Sequence, residues 1–282
     1  MELQPHTPAG TAGLAALLKD PSRAVAAFDF DGTLAPIVPD PERARAHPGV
    51  VPALVRLAPH LAAVVVVTGR PAATAVRYGG FAGVPGLDHL TVLGHYGLER
   101  WDAADGVVRA PEEHSGVAAL RAELPGLLAG APEGVWLEDK GHALAVHTRR
   151  AQDPDAALAL LDAPLREAAA RHGLAVEPGR MVLELRPPGV DKGVALTAFL
   201  RERDARSVLF AGDDLGDVAA YDAVDALRSR QGVAGIPGVL VCSAPTTGEP
   251  PVRALADRAD LIVHGPEGVV ELMDALAEAL GA

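Results

Sequence analysis

Two apolar runs mark the first quarter of the chain: residues 24–30, broken only by Asp29 where the run enters an acidic turn, and residues 61–67 (LAAVVVV). Neither alternates with a period of two, which predicts strands buried on both faces of a parallel sheet. Residues 47–60, with Pro and Gly at their start, read as the helix between them and complete a βαβ unit. Further strands are predicted at 91–93, 208–211, 239–241 and 261–263, and helices at 191–203, 215–228 and 266–280. The middle of the chain follows another pattern. A helix at 116–128 precedes a strand pair at 135–137 and 143–147 around KGH; a helix at 154–172 precedes a second pair at 174–176 and 181–186 around EPGR. An α-β-β-α-β-β order builds a small antiparallel sheet with helices on one face. The expected fold is therefore α/β: a Rossmann-like core with a parallel sheet, in two pieces (1–108 and 188–282), around an inserted domain at 109–187. Linkers are expected at 106–113 and 186–189, where Pro and Gly suit a hinge.

Composition narrows the functional classes. About half of the 282 residues are apolar, enough to bury a core without disulfides. The net charge of −12 argues against a nucleic-acid partner held by a basic surface, and the scarcity of aromatics against a base-stacking platform. A single cysteine, Cys242, excludes an intramolecular disulfide framework and fits the cytoplasm. No basic segment leads into an apolar run at the start, so no secretory signal is expected, and no stretch nears the ~20 apolar residues of a membrane span. Lysine occurs only at Lys19, Lys140 and Lys192, every other basic residue being arginine.

Four pieces carry candidate chemistry. Phe28-Asp29-Phe30-Asp31-Gly32-Thr33 ends the first buried strand; residues two apart share a face, so Asp29 and Asp31 are expected to project together, opposite Phe28 and Phe30. Paired carboxylates beside an apolar strand call for compensation, most simply a divalent cation with oxygen ligands. A second cluster, Gly212-Asp213-Asp214-Leu215-Gly216-Asp217, also ends a predicted strand; read alone it is equally an N-cap with an acidic first turn. After the 61–67 strand, Thr68-Gly69-Arg70-Pro71 offers a hydroxyl and helix-start N–H groups to an anion. Lys192 opens a helix, where a cation opposes the macrodipole and so should have an anionic partner. In the middle domain, Glu138, Lys140 and Glu184 suit a polyol, the alternative being a surface ion pair. Residues 36–48 read as a flap with solvated Arg43 and Arg45, and Cys242, Trp101 and Trp136 as core or hinge packing.

Asp29-x-Asp31-Gly-Thr, Thr68, Lys192 and Gly212-Asp213-Asp214 stand in the order of the four motifs of the haloacid dehalogenase (HAD) superfamily of phosphotransferases, which the outer domain resembles. The inserted domain, between the second and third motifs, resembles the cap of the α/β-cap subclass. Further strings are similar to the trehalose-6-phosphate phosphatase family: Asp-Gly-Thr-Leu-Ala-Pro at 31–36, Thr68-Gly69-Arg70, His95 with Gly97-x-Glu99, Glu138-Asp139-Lys140-Gly141, His147-x-Arg149 and Glu184-Leu185-Arg186-Pro187. Departures are Tyr96-Gly97-Leu98-Glu99, where the family often has His-Gly-x-Glu, and Gly216-Asp217-Val218, where it has Thr-Asp-Glu.

The resemblance implies Mg²⁺-dependent hydrolysis of trehalose 6-phosphate to trehalose and phosphate, the last step of trehalose biosynthesis. It makes Asp29 the nucleophile and Asp31 the general acid and base. Mg²⁺ would lie on Asp29, Asp31 through its main-chain carbonyl, Asp213, and Asp214 through water. Thr68, Gly69 and Lys192 would bind phosphate, with Asp217 orienting Lys192, and Arg70, His95, Glu138, Lys140 and Glu184 would bind the sugar phosphate. The expected partner is a phosphorylated disaccharide, with no nucleic acid and no membrane, and the sequence is compatible with a monomer. Two other readings stand beside it: a phosphatase for another sugar phosphate, such as sucrose phosphate or mannosyl-phosphoglycerate, and a non-catalytic sugar-phosphate sensor. The intact Asp29 and Asp31 argue against the sensor.

Overall fold

The computed structural model describes residues 3–179, 181–230 and 235–281. The chain divides into two compact units, Met1–Arg109 with Asp191–Ala282, and Ala110–Val190. In chain order the first unit opens with α1 (Pro8–Lys19), β1 (Ala24–Phe28), α2 (Val50–Leu57), β2 (Ala63–Val67), α3 (Ala72–Gly79), β3 (Leu90–Gly94), β4 (Glu99–Asp102) and β5 (Val108–Arg109). The second unit comprises α4 (Ser115–Leu127), β6 (Trp136–Asp139), β7 (Leu144–His147), α5 (Pro154–Arg171), β8 (Ala175–Gly179) and β9 (Val182–Arg186). The chain then returns with α6 (Lys192–Glu202), β10 (Ser207–Gly212), α7 (Val218–Arg228), β11 (Gly238–Ala244), α8 (Arg253–Ala256), β12 (Leu261–His264) and α9 (Gly265–Ala279).

The larger unit is built on one sheet, ordered β12-β11-β10-β1-β2-β3-β4-β5. Its strands run parallel from β12 to β3. Every residue of β1, β2, β10 and β11 is buried, as their unbroken apolar runs require. Alternate side chains feed two cores: Ala24, Ala26 and Phe28 pack with α1, α2, α3 and α9, while Val25 and Ala27 pack with α6, α7 and α8. The result is three layers, and the sheet's order reverses direction between β10 and β1, where open α/β sheets form their crevice.

Four elements lie outside the predicted pattern: α1, β4, β5 and the one-turn α8. α1 is announced by Thr7, whose hydroxyl accepts from Gly10 N–H, and by Pro8 at its first turn. β4 and β5 continue the sheet antiparallel from β3, so β5 falls inside the segment expected to be a linker. β5 is a two-residue edge strand and β4 the short strand beside it, and this end of the sheet lacks the two-sided burial that makes a run apolar.

In the smaller unit, a four-stranded antiparallel sheet ordered β6-β7-β9-β8 packs Leu144, Val146, Leu183 and Leu185 against Val117, Leu120 and Leu124 of α4 and Leu161 and Leu165 of α5. The turn expected at EPGR is shorter than its sequence suggests. Pro178 pairs with Leu183 and Gly179 with Val182, so both belong to the ladder; Arg180 lies outside the described residues. Among the described residues, no helix is long and apolar enough to cross a membrane.

Candidate active site

The register of the parallel sheet assembles the acidic cluster. Phe28 of β1 pairs with Ala211 of β10, and Asp29 N–H donates to the Ala211 carbonyl at 2.9 Å, so the residue after β1 sits beside the Gly212-Asp213 turn. Asp29 is buried, and its Oδ1 accepts from Lys192 Nζ at 2.5 Å. Lys192 Nζ also donates to Asp217 Oδ1 at 2.7 Å. The other Asp217 oxygen accepts from the backbone N–H groups of Asp213 (2.9 Å) and Asp214 (3.1 Å). Asp217 is thereby committed to holding the turn and aiming the ammonium. Lys192, placed at a helix start against the dipole, has the anionic partners its position demands. Asp191, just before it, caps α6 through Val194 N–H at 2.8 Å, a bond of a kind worth about 1 kcal/mol.

Asp213 and Asp214 divide the roles that the sequence left open between metal site and helix cap. Asp214 Oδ1 accepts from Gly216 N–H and closes a capping box with Asp217. Asp213 turns toward the first motif, where its carboxylate lies so close to Gly32 (φ 81°) that an added Cβ would come within 2.0 Å of Oδ2. Glycine is therefore required at 32 by both conformation and space.

Asp29, Asp213 and Asp217 bring carboxylate oxygens within 4.8 Å of one another. Burial raises the pKa of Asp29 well above the usual range, against Lys192 and with Asp217 and Asp214. Burial, then Asp29 and Asp217, does the same to Asp213. Burial disfavours the Lys192 charge, yet Asp217, Asp29 and Asp214 together hold its pKa well above normal. One ammonium thus faces an excess of buried negative charge, and a hard divalent cation matches the deficit and the all-oxygen donor set. Since both Asp217 oxygens are already engaged, Asp29 and Asp213 are the side chains that fit it.

Asp31 is separately held. Its two oxygens accept from Arg70 Nε and Nη2, both at 2.6 Å, in a bidentate pair, and its side chain remains one-third exposed. The guanidinium also lies 5.2 Å from the centre of the Tyr78 ring. Asp31 and Asp29 therefore project with different partners, Arg70 for one and Lys192 for the other. Phe28 and Phe30 do share the opposite core, as the alternation predicted. Thr68 is buried at the end of β2, its Oγ1 accepting from Arg70 N–H at 3.1 Å. The first N–H of α3, expected to be available to an anion, instead donates to Glu99 Oε2 at 2.6 Å. His95 is buried at 1% exposure with its Nε2 3.7 Å from Glu99 Oε1, a position behind the loop rather than on an open surface. Arg45, expected to be solvated, lays its guanidinium 4.2 Å from the Tyr78 ring centre.

Within the smaller unit, Glu138, Ala145 and Glu184 are cross-strand neighbours on the sheet face turned away from the helices. Lys140 Nζ donates to Glu184 Oε2 at 3.1 Å, and His147 Nε2 lies 2.8 Å from Glu138 Oε2. Trp136, expected in packing, belongs to this polar face: its ring stacks on His147 with centroids 4.5 Å apart, and Arg150 lies 4.4 Å from its centre. Trp101 and Cys242 are in the apolar cores, and burial, then Asp213 and Asp217, pushes the Cys242 thiol up to about 11.

An acidic crevice with a buried lysine, at the carboxyl ends of a parallel sheet and with a second α/β unit inserted in the chain, defines a class. In fold the chain is similar to a haloacid dehalogenase-like hydrolase from Bacteroides thetaiotaomicron, which aligns over 90% of this chain and 99% of its own with a TM-score of 0.61 at 15% identity. A family model described as Trehalose-phosphatase matches residues 27–245, and the chain belongs to that family. It is 36% identical over 207 residues to a trehalose-phosphate phosphatase of Mycobacterium avium (70% of this chain, 50% of the relative). It is 34% identical over 219 residues to a probable trehalose-phosphate phosphatase of Sinorhizobium fredii (76% and 78%). The C-terminal domain of the C. albicans trehalose-6-phosphate phosphatase superposes with a TM-score of 0.74 at 20% identity, covering 98% of each chain. This chain spans about half the length of the Mycobacterium avium relative.

Proposed function

We propose that this protein is a Mg²⁺-dependent phosphatase that hydrolyses trehalose 6-phosphate to trehalose and inorganic phosphate. The observation that carries the reading is Lys192 Nζ bridging Asp29 and Asp217 at 2.5 and 2.7 Å beside Asp213, in a member of the trehalose-phosphatase family. Asp29 attacks phosphorus, the P–O bond to the sugar breaks, and Asp31 protonates the departing oxygen. Water then attacks the phosphoaspartate, Asp31 takes its proton, and phosphate leaves with Asp29 regenerated. Dividing one hard displacement between two easier ones is the gain of covalent catalysis. Lys192, Thr68 and the Gly69 backbone bind the non-bridging oxygens. Both Asp31 oxygens accept from Arg70, so for Asp31 to donate, Arg70 must turn from it to the substrate. Mg²⁺ would be held by Asp29, Asp213 and the Asp31 carbonyl, with Asp214 acting through water, and would neutralise charge on the phosphoryl oxygens.

Glu138, Lys140 and Glu184, on the face of the small sheet turned away from its helices, supply acceptors and a donor for vicinal hydroxyls, and this unit sets substrate choice as a cap. We place the enzyme in the cytoplasm, with a phosphorylated disaccharide as its small-molecule partner.

The test is phosphate release from trehalose 6-phosphate, sucrose 6-phosphate, glucose 6-phosphate and p-nitrophenyl phosphate, with Mg²⁺ and with EDTA. Trehalose 6-phosphate should be strongly preferred, and EDTA should abolish turnover until Mg²⁺ is restored. Slow, equal turnover of all four would remove the sugar assignment, and tight binding of trehalose 6-phosphate without turnover would favour a sensor. Lys140→Ala should raise KM for trehalose 6-phosphate by roughly tenfold while leaving p-nitrophenyl phosphate unaffected. Equal losses on both substrates would separate Lys140 from sugar recognition.

A further inference from the structure

The helix start that the sequence offers to a substrate anion is already occupied by one of the protein's own. α3 follows directly on Thr68-Gly69-Arg70, and its N-cap is Pro71, which has no side-chain acceptor to give. The Ala72 N–H would be left without a partner in a part-buried setting; Glu99, from β4, supplies a carboxylate to it at 2.6 Å. A carboxylate at that end is also favoured by the helix dipole.

Glu99 opens β4 just after a turn that grips the same loop from the other side. Between β3 and β4 the backbone runs through three consecutive left-handed residues, His95 (φ 47°), Tyr96 (φ 58°) and Gly97 (φ 100°). For the first two this conformation costs on the order of 1 kcal/mol or more each, so surrounding contacts must impose it. Those contacts are visible. His95 N–H donates to the Arg70 carbonyl and Tyr96 N–H to the Thr68 carbonyl, each at 2.9 Å, which pins the carbonyls of the two residues flanking Gly69. Tyr96 lies so close that a Cβ at 69 would come within 2.7 Å of its hydroxyl. On the opposite side, a Cβ at Gly97 would come within 2.5 Å of Ala195 Cβ, one turn along α6 from Lys192. The turn therefore fills the space between Thr68-Gly69-Arg70 and the helix that carries Lys192.

We propose that Glu99 is a positioning residue: with the 95–97 turn it clamps Thr68-Gly69-Arg70 at a fixed separation from Lys192, so that both sets of phosphate donors meet one phosphoryl group. The proposal rests on the phosphatase reading above for the identity of that group. It assigns His95 to the clamp in place of direct substrate contact.

The test compares Glu99→Ala, Glu99→Asp and Glu99→Gln with the full-length wild type, by steady-state kinetics on trehalose 6-phosphate and p-nitrophenyl phosphate. Calorimetric binding of orthovanadate with Mg²⁺ gives a readout independent of turnover. Because the clamp serves the phosphoryl group and not the sugar, Glu99→Ala should lower kcat on both substrates by the same factor, roughly tenfold to a hundredfold. It should weaken orthovanadate by a comparable factor, with the ratio of the two KM values unchanged. Glu99→Gln keeps a side-chain oxygen for Ala72 N–H and should recover most of both losses. Glu99→Asp, one methylene short, should fall between them and serves if the alanine variant does not fold. Wild-type kcat and orthovanadate affinity in Glu99→Ala or Glu99→Asp, even with a lowered Tm, would overturn the proposal, as would a glutamine variant no better than alanine. A wild type that binds orthovanadate but turns over neither ester would instead reject the phosphatase reading, and the clamp would still be judged by the orthovanadate affinities of the variants.

Discussion

Asp29→Asn should abolish phosphate release, lowering kcat by roughly four orders of magnitude or more, while the protein stays folded. The carboxamide is nearly isosteric, but its oxygen cannot form the phosphoenzyme, and no other described carboxylate replaces it. Asp213 approaches Gly32, Asp217 is bound to Lys192 and two backbone N–H groups, and Asp31 is held by Arg70. Stability should move the other way. Burial holds the Asp29 pKa well above normal, so its ionised form is a strained occupant of the folded state at neutral pH; a neutral amide removes that strain and lessens repulsion with Asp217. Lys192 keeps Asp217 as a partner. Without metal, the variant's Tm should therefore equal or exceed that of the wild type, and added Mg²⁺ should raise it less. Parallel phosphate-release and thermal-melting measurements check both halves. Retained turnover would remove Asp29 from the nucleophile's role, and a collapsed Tm would mean that its charge holds the fold together.

How far the sequence exposes this site depends on the range of the interactions concerned. β1 and β2 are legible because a strand buried on both faces must be apolar throughout, and Ala24–Phe28 and Ala63–Val67 are. Lys192 is legible by conflict: a cation at a helix start needs an anion, although nothing local says that Asp29, 163 residues away, is one of them. The capping box of Asp214 with Asp217 is local and follows from spacing alone. By contrast, the Arg70 pair with Asp31 spans 39 positions and the Glu99 cap on Ala72 spans 27, and both arise from sheet order rather than from neighbouring residues. Pro71 carried the only clue to the second, since a proline N-cap leaves the following N–H in want of an acceptor. β4 stayed hidden because, of its residues Glu-Arg-Trp-Asp, only Trp101 reaches a core, while the charged ones serve ion pairs and a helix cap. Trp136 was hidden for a related reason: a large aromatic is ordinarily core, whereas here its ring backs the polar residues His147 and Glu138.

Lys192→Met should be the most damaging substitution to the fold. It leaves Asp29, Asp213 and Asp217 with buried charge and no counter-ion, and breaking one partner from a buried ion pair typically costs about 3–5 kcal/mol. Activity should fall by roughly a hundredfold or more as well, because a preorganised cation at the phosphoryl oxygens is lost. Loss of activity alone would not distinguish a missing phosphate ligand from a collapsed site, so the informative comparison is the double variant with Asp217→Asn. The amide introduced by Asp217→Asn can still accept the Asp213 and Asp214 N–H groups through its oxygen, while its NH₂ replaces the face that met the ammonium. If the damage is uncompensated charge, Asp217→Asn should destabilise the wild type, where it leaves Lys192 only Asp29, a partner whose ionised form burial disfavours, yet stabilise the Lys192→Met background. The two effects would then differ in sign, with a coupling of roughly 1–3 kcal/mol. Chemical denaturation of the four proteins, in EDTA so that metal does not mask the charge, measures it. Additive losses would show that Lys192 acts through packing and not as the counter-ion of the cluster. Mg²⁺ should also raise the Tm of Lys192→Met more than that of the wild type, since an added cation is worth most where the built-in one is missing.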